Sequence, residues 1–93
     1  MANRLIDVVI DPATVASGEK VDVTVTYTSA VDDDVVIEQG EGFAIVPRSK
    51  PLPAATDGEV SFKLKITRTT STNATCPLAF NFFNVKNKRV TVS

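Results

Sequence analysis

The chain is predicted to be all-β, a single antiparallel β-sandwich of about seven strands. Three observations predict it. Val21, Val23, Val25 and Tyr27 alternate with Asp22, Thr24, Thr26 and Thr28, and Val60, Phe62, Leu64 and Ile66 alternate with Ser61, Lys63, Lys65 and Thr67. Successive side chains of a strand point to opposite faces, so each run supplies one apolar face for a core and one polar face for water. β-Branched Val, Ile and Thr dominate these segments, and no window of about eleven residues carries the apolar stripe of a helix. Turn-rich stretches interrupt the runs at short, even intervals.

The first strand is placed at residues 5–10. It ends in Asp11-Pro12-Ala13-Thr14 and Ser17-Gly18, because proline cannot donate to a ladder and glycine admits positive φ. The second strand follows at 20–28. Val31-Asp32-Asp33-Asp34 forms the next turn, since like charges held together favour the solvated surface, and strands at 34–39 and 42–46 come after it. Residues 47–53 carry Pro47, Pro51 and Pro53, which restrict φ and bias the preceding residues toward extended geometry. That stretch is read as a surface crossover between sheets. Asp57-Gly58 launches a strand at 59–68, residues 69–74 form a polar loop, and strands at 75–83 and 89–93 join through a hairpin connection at 84–88. Val23, Val25, Phe62, Leu64, Phe80 and Phe82 are the predicted centre of the core.

At 93 residues, 43% hydrophobic and 23% charged, the chain makes one domain, 1–93, without internal repeat or linker. A chain of this length buries roughly 60 to 65% of its unfolded surface. Ten Lys and Arg against eleven Asp and Glu leave a net charge of -1. That balance offers no electrostatic footprint for nucleic acid or an anionic membrane. The N-terminal segment carries Asp7 where a signal peptide needs an apolar stretch, and no run approaches the ~20 residues of a membrane span. Neither export by its own signal nor membrane insertion is expected.

Histidine is absent and Cys76 is the single cysteine, so a zinc site, a Cys–His nucleophile and an internal disulfide are excluded. No motif specific for catalysis or a cofactor is present, and neither is expected. Cys76 shares parity with Leu78, Phe80 and Phe82 and reads as a small core residue. Asp32, Asp33 and Asp34, with Asp57 or Glu59, would offer calcium its hard oxygens, but the run matches no calcium-loop spacing and reads as a solvated acidic turn. Arg48-Ser49-Lys50-Pro51-Leu52-Pro53 approaches a proline-rich ligand of SH3 domains, yet the second proline of that motif falls on Ala54. Asn73-Ala74-Thr75 is a glycosylation sequon that matters only in a secretory pathway.

The segment Ile10-Asp11-Pro12-Ala13-Thr14-Val15-Ala16-Ser17-Gly18-Glu19-Lys20-Val21-Asp22-Val23-Thr24-Val25-Thr26-Tyr27 resembles the first strand, turn and second strand of immunoglobulin-like modules of bacterial surface proteins and tailed-phage particles. Asp57-Gly58-Glu59-Val60-Ser61-Phe62 and the closing Val90-Thr91-Val92 fit the same plan. The chain departs from antibody-type domains: it has no tryptophan, Cys76 has no partner on the second strand, and Ala74 stands where a tyrosine corner would be. The resemblance implies an immunoglobulin-like sandwich whose work is spacing, adhesion or docking, with no active site to carry over.

The two outer faces of such a sandwich differ. Outside one sheet lie Asp22, Thr24, Thr26, Ser61, Lys63, Lys65 and Thr67. Outside the other, where Val35, Ile37, Leu78, Phe80, Phe82, Val90 and Val92 point inward, lie Val36, Pro77, Ala79 and Phe83 among Glu38, Asn81, Arg89 and Thr91. A contiguous apolar patch on a small chain marks an interaction surface, so Val36, Ala79 and Phe83 are the candidate docking face. A protein partner, such as a capsid or surface protein, is expected, and self-association stays open. A chain that starts at Met1 and ends after its last strand is read as a complete small gene product, a decoration protein on a virion. The alternative is a spacer or adhesion domain of a bacterial surface or secreted protein. A carbohydrate-binding module ranks last, because only Tyr27, Phe43 and Phe83 could form its aromatic platform.

Overall fold

The alternation in the sequence becomes an inside and an outside. From Glu19 to Ser29 the residues Val21, Val23, Val25, Tyr27 and Ser29 are buried, while those between them reach solvent. The computed structural model describes residues 3–93. Met1, on which the reading as a complete product rests, lies outside them.

Nine strands follow one another without a helix among the described residues: β1 (Arg4–Asp11), β2 (Thr14–Val15), β3 (Glu19–Ser29), β4 (Asp33–Gln39), β5 (Phe43–Val46), β6 (Ser49–Leu52), β7 (Ala55–Arg68), β8 (Thr75–Phe82) and β9 (Asn84–Val92). They form a four-stranded sheet in the order β1-β3-β7-β5 and a five-stranded sheet in the order β2-β9-β8-β4-β6. The two pack face to face, so the all-β sandwich-like architecture is as expected. Pairing is antiparallel except between β2 and β9.

Nine strands replace the seven expected, for two local reasons. β2 is two residues long, too short to show an alternation, and it is held by backbone hydrogen bonds from Thr91 N to Ala13 O and from Ser93 N to Val15 O. The proline-rich stretch is not a bare crossover. Its middle, Ser49–Leu52, is the edge strand β6, where the missing N–H of Pro51 costs no ladder bond inside the sheet. The chain thus changes sheet at every step from β4 to β7.

The core lies between the sheets. Val8, Val21, Val23, Val25, Leu64 and Ile66 enter it from one side, and Val35, Ile37, Leu52, Cys76, Leu78, Phe80, Phe82, Val90 and Val92 from the other. Burial of each such side chain stabilises the fold by roughly 1.5 to 3 kcal/mol. Val60 and Phe62, expected inside, are only partly buried. The opposite sheet ends in the short β6, whose inward residue at that level is Lys50, and the Lys50 ammonium sits 5.7 Å from the centre of the Phe62 ring. An inward-pointing charge of this kind also discourages pairing of that edge with a foreign strand.

β9 departs most from the expected course, beginning at Asn84 instead of residue 89. Residues 84–88, expected to be a hairpin connection, are strand, paired with β8 from Phe82↔Asn84 to Ala79↔Asn87. Their inward parity is polar because this half of β9 faces the side seam of the sandwich. There Asn84 Oδ1 accepts from Leu5 N at 2.6 Å, Asn84 Nδ2 donates to Leu5 O at 3.1 Å, and Lys88 Nζ stands 3.8 Å from Asp7 Oδ1. Asn84 completes the backbone hydrogen bonding that β1 would otherwise lack at its edge.

Candidate docking face

The outer surface of β4, β8 and β9 is ordered by strand register. Val36, Asn81 and Val85 form one row across the sheet, Glu38, Ala79 and Asn87 the next, and Gly40, Pro77 and Arg89 the third. Val36 and Ala79 therefore share one face as expected, on adjacent strands and adjacent rows. Val36 is 45% and Val85 49% exposed, flanking Asn81 in the same row.

Phe83 is placed differently from the other two. β8 ends at Phe82, and Phe83 alone spans the turn to Asn84 with φ 54°, in the left-handed region that bulky residues seldom enter. It sits at the hairpin tip, beyond the end of the face. Its ring is 58% exposed and meets Phe82 edge-on at 4.7 Å, and Phe82 in turn meets Tyr27 at 5.9 Å. The inner aromatics belong to the core and Phe83 caps them from outside.

Val85 joins the face although the sequence places 84–88 in a hairpin connection. The signal was present in parity: counting back from buried Val90 and Val92 puts Val85 and Asn87 outward and Asn84, Lys86 and Lys88 inward. Three polar residues at inward positions masked it.

Between the flanking strands the face is hollow. Pro77 and Ala79 form its floor, and Glu38, Gln39, Asn87 and Arg89 its walls, around an open space of about 560 Å³. Gly40 is required at its end, because a Cβ there would lie 2.6 Å from the Pro77 ring. Among the described residues the side chains of Glu38, Asn87 and Arg89 have no hydrogen-bond or ion-pair partner. On the opposite outer face two contacts join the middle strands: Thr24 Oγ1 and Ser61 Oγ share a hydrogen bond at 3.2 Å, and Lys63 Nζ reaches Asp22 Oδ1 at 2.7 Å.

The other residues singled out in the sequence have structural surroundings. Asp32 Oδ1 accepts from Ala54 N and Asp33 Oδ1 from Asp34 N, each at 2.8 Å, so two of the three acidic side chains hold backbone. Asn73 Oδ1 accepts from Thr75 N at 3.0 Å on an exposed loop. Cys76 is fully buried, and burial pushes its thiol above the ordinary range, which leaves it less reactive. Tyr27 is buried with its hydroxyl donating to Pro53 O at 2.6 Å; desolvation raises its pKa, and the charge of Asp32 adds to the effect. That removes Tyr27 from any aromatic platform.

Comparison with known proteins finds no family model and no curated relative that matches the chain.

Proposed function

We propose that the chain is a non-catalytic docking module of the immunoglobulin-like kind, a small decoration or accessory protein that attaches to a larger assembly such as a phage capsid. The observation that carries this reading is the asymmetry of the two outer faces. One is polar across its middle strands, with Asp22, Thr24, Ser61 and Lys63 bonded in pairs; the other sets Val36, Ala79 and Val85 beside Glu38 and Arg89, whose side chains have no partner among the described residues. Apolar residues ringed by unsatisfied polar groups are what a specific protein interface presents before it is covered.

The test is incorporation of variants into the assembly, scored beside their folding. Phe83→Asp and Val36→Asp should fold, since both side chains are exposed, yet fail to incorporate, because the new carboxylate would be desolvated without a counter-ion. Thr24→Asp on the opposite face should incorporate as the unchanged protein does. Variants of Phe83 and Val36 that fold and still incorporate would move docking to the β6 edge or its prolines.

One observation favours the alternative of a spacer or adhesion domain. The molecule extends 42 Å along its longest axis and 19 Å and 16 Å along the others. Leu5, near the start of the chain, meets Asn84 at the beginning of β9, whereas Ser93 bonds to Ser17 and Val15 beyond its end. Entry and exit at opposite ends suit modules strung in series, and the incorporation test separates the two readings.

A further inference from the structure

The three rows of the β4–β8–β9 face have a property that a generic patch lacks. β8 is the middle strand, and its outward residues Pro77, Ala79 and Asn81 are short. On one side of it β4 carries the acid Glu38, with Asp34 further along, and on the other β9 carries the base Arg89. The first row is apolar on both sides, Val36 on β4 and Val85 on β9. The face therefore has a valine on each side of β8 in its first row, and carries its acid and its base on opposite sides of that strand.

A two-fold axis lying in the plane of the face along β8 exchanges its sides and keeps its rows. β4 of one copy then covers β9 of the other. Val36 lies over Val85 of the second copy, and the reverse contact repeats it. Arg89 comes down over Gly40 of the second copy, beside the Pro77 ring that packs against that glycine. Glu38 of that copy stands one row away, about 7 Å along the strand, which an arginine side chain spans. A two-fold axis across the strands instead sets β4 on β4 and β9 on β9, bringing acid to acid and base to base.

We infer that the second copy of this chain is the partner of this face, docked about a two-fold axis along β8 with Arg89 of each copy seated over Gly40 of the other and paired with its Glu38. The occupant follows from charge complementarity: Glu38 and Arg89 each find a counter-ion in the same operation, as a self-complementary two-fold interface demands. The inference rests on the reading of this face as a docking surface. Three strands span only about 14 Å. The area falls short of the roughly 800 Å² per partner of a standard interface, so association belongs to the weak class.

Sedimentation equilibrium from about 10 μM to about 1 mM, with amide chemical shifts followed over the same range, tests it. The mass should rise from one chain toward two, and the shifts should concentrate on β4, β8 and β9. Glu38→Arg and Arg89→Glu should each weaken association by about tenfold or more by opposing like charges, while an equimolar mixture of the two should recover it, because in the mixed dimer one pair keeps its original sign and the other forms with its sign reversed. Lys63→Glu on the opposite face should change nothing. A protein that stays monomeric to about 1 mM, or single variants that associate as well as the unchanged chain, would overturn the inference. If that monomer still loses incorporation on Val36→Asp, docking to an assembly stands and only the second copy falls. A dimer that incorporates into no assembly supports the pairing and removes the assembly.

Discussion

The outer faces of the two sheets start from the same alternation and end in opposite conditions. On the four-stranded sheet the exposed valines Val9 and Val46 lie on β1 and β5, the two edges, with a ladder of Thr, Ser, Asp and Lys between them. On the five-stranded sheet Val36 and Val85 flank the strand β8, and the side chains of Glu38 and Arg89 nearby pair with none of the described residues. Binary pattern decides which residues face water; register decides whether they satisfy one another once there. Register is invisible in a single strand and emerges only when strands pair.

If the difference between the faces is confined to their surfaces, the core behind them must respond alike. Leu64 backs the polar face and Phe80 the other, both fully buried. Leu64→Ala should cost about 2 to 5 kcal/mol and Phe80→Ala about 3 to 5, as lost transfer energy plus a cavity. Denaturant titration measures both. A loss under about 0.5 kcal/mol at either position would mean that one face is not backed by a shared core.

The seam comes next in magnitude. Asn84→Ala removes two hydrogen bonds to Leu5 and leaves its N–H and C=O at the edge of β1 unpaired, which should cost about 1 to 3 kcal/mol. Hydrogen exchange at Leu5 should accelerate with it. If stability and exchange stay unchanged, the seam does not hold the first half of β9 to β1, and the register that places Val85 on the candidate docking face loses its anchor.

Asn84 also marks the limit of what the sequence discloses. Where a strand has core on one side and water on the other, as in β3 or the C-terminal half of β7, alternation located it to within a few residues. Phe62 breaks the pattern because the sheet opposite it ends early, and 84–88 breaks it because the inward side chains meet a neighbouring edge instead of a core. β2 and β6 were silent because two or four residues cannot display a period. The docking face was partly legible: Val36 and Ala79 follow from parity, Val85 needed the true extent of β9, and Phe83 needed the turn geometry. The hollow over Gly40 depends on cross-strand neighbours, which no linear reading contains.

On the polar face the strongest ion pair should still contribute little. Lys63 and Asp22 are both well exposed, so solvent screens their attraction, and a double-mutant cycle should give about 0.2 to 1 kcal/mol, falling further as salt rises. A coupling well above that range, unchanged by salt, would make the ladder a structural network. The contrast would then be between a face that stabilises and a face that docks, a sharper division than polar against apolar.

The smallest expected effect falls at Phe83 and separates folding from docking most cleanly. At φ 54° a phenylalanine occupies backbone geometry that asparagine tolerates better, so Phe83→Asn relieves strain at the turn. The same change removes the edge-on contact with Phe82, a pair worth about 0.5 to 1.5 kcal/mol when fully formed and less here, where more than half of the outer ring is in water. The two terms oppose, and stability in denaturant should move by no more than about 0.5 kcal/mol. Incorporation into the proposed assembly should nevertheless fall, since the large exposed aromatic ring beside this face is gone. A loss above about 1.5 kcal/mol would assign the ring to the core, and the asymmetry between the faces would then rest on Val36, Ala79 and Val85 alone.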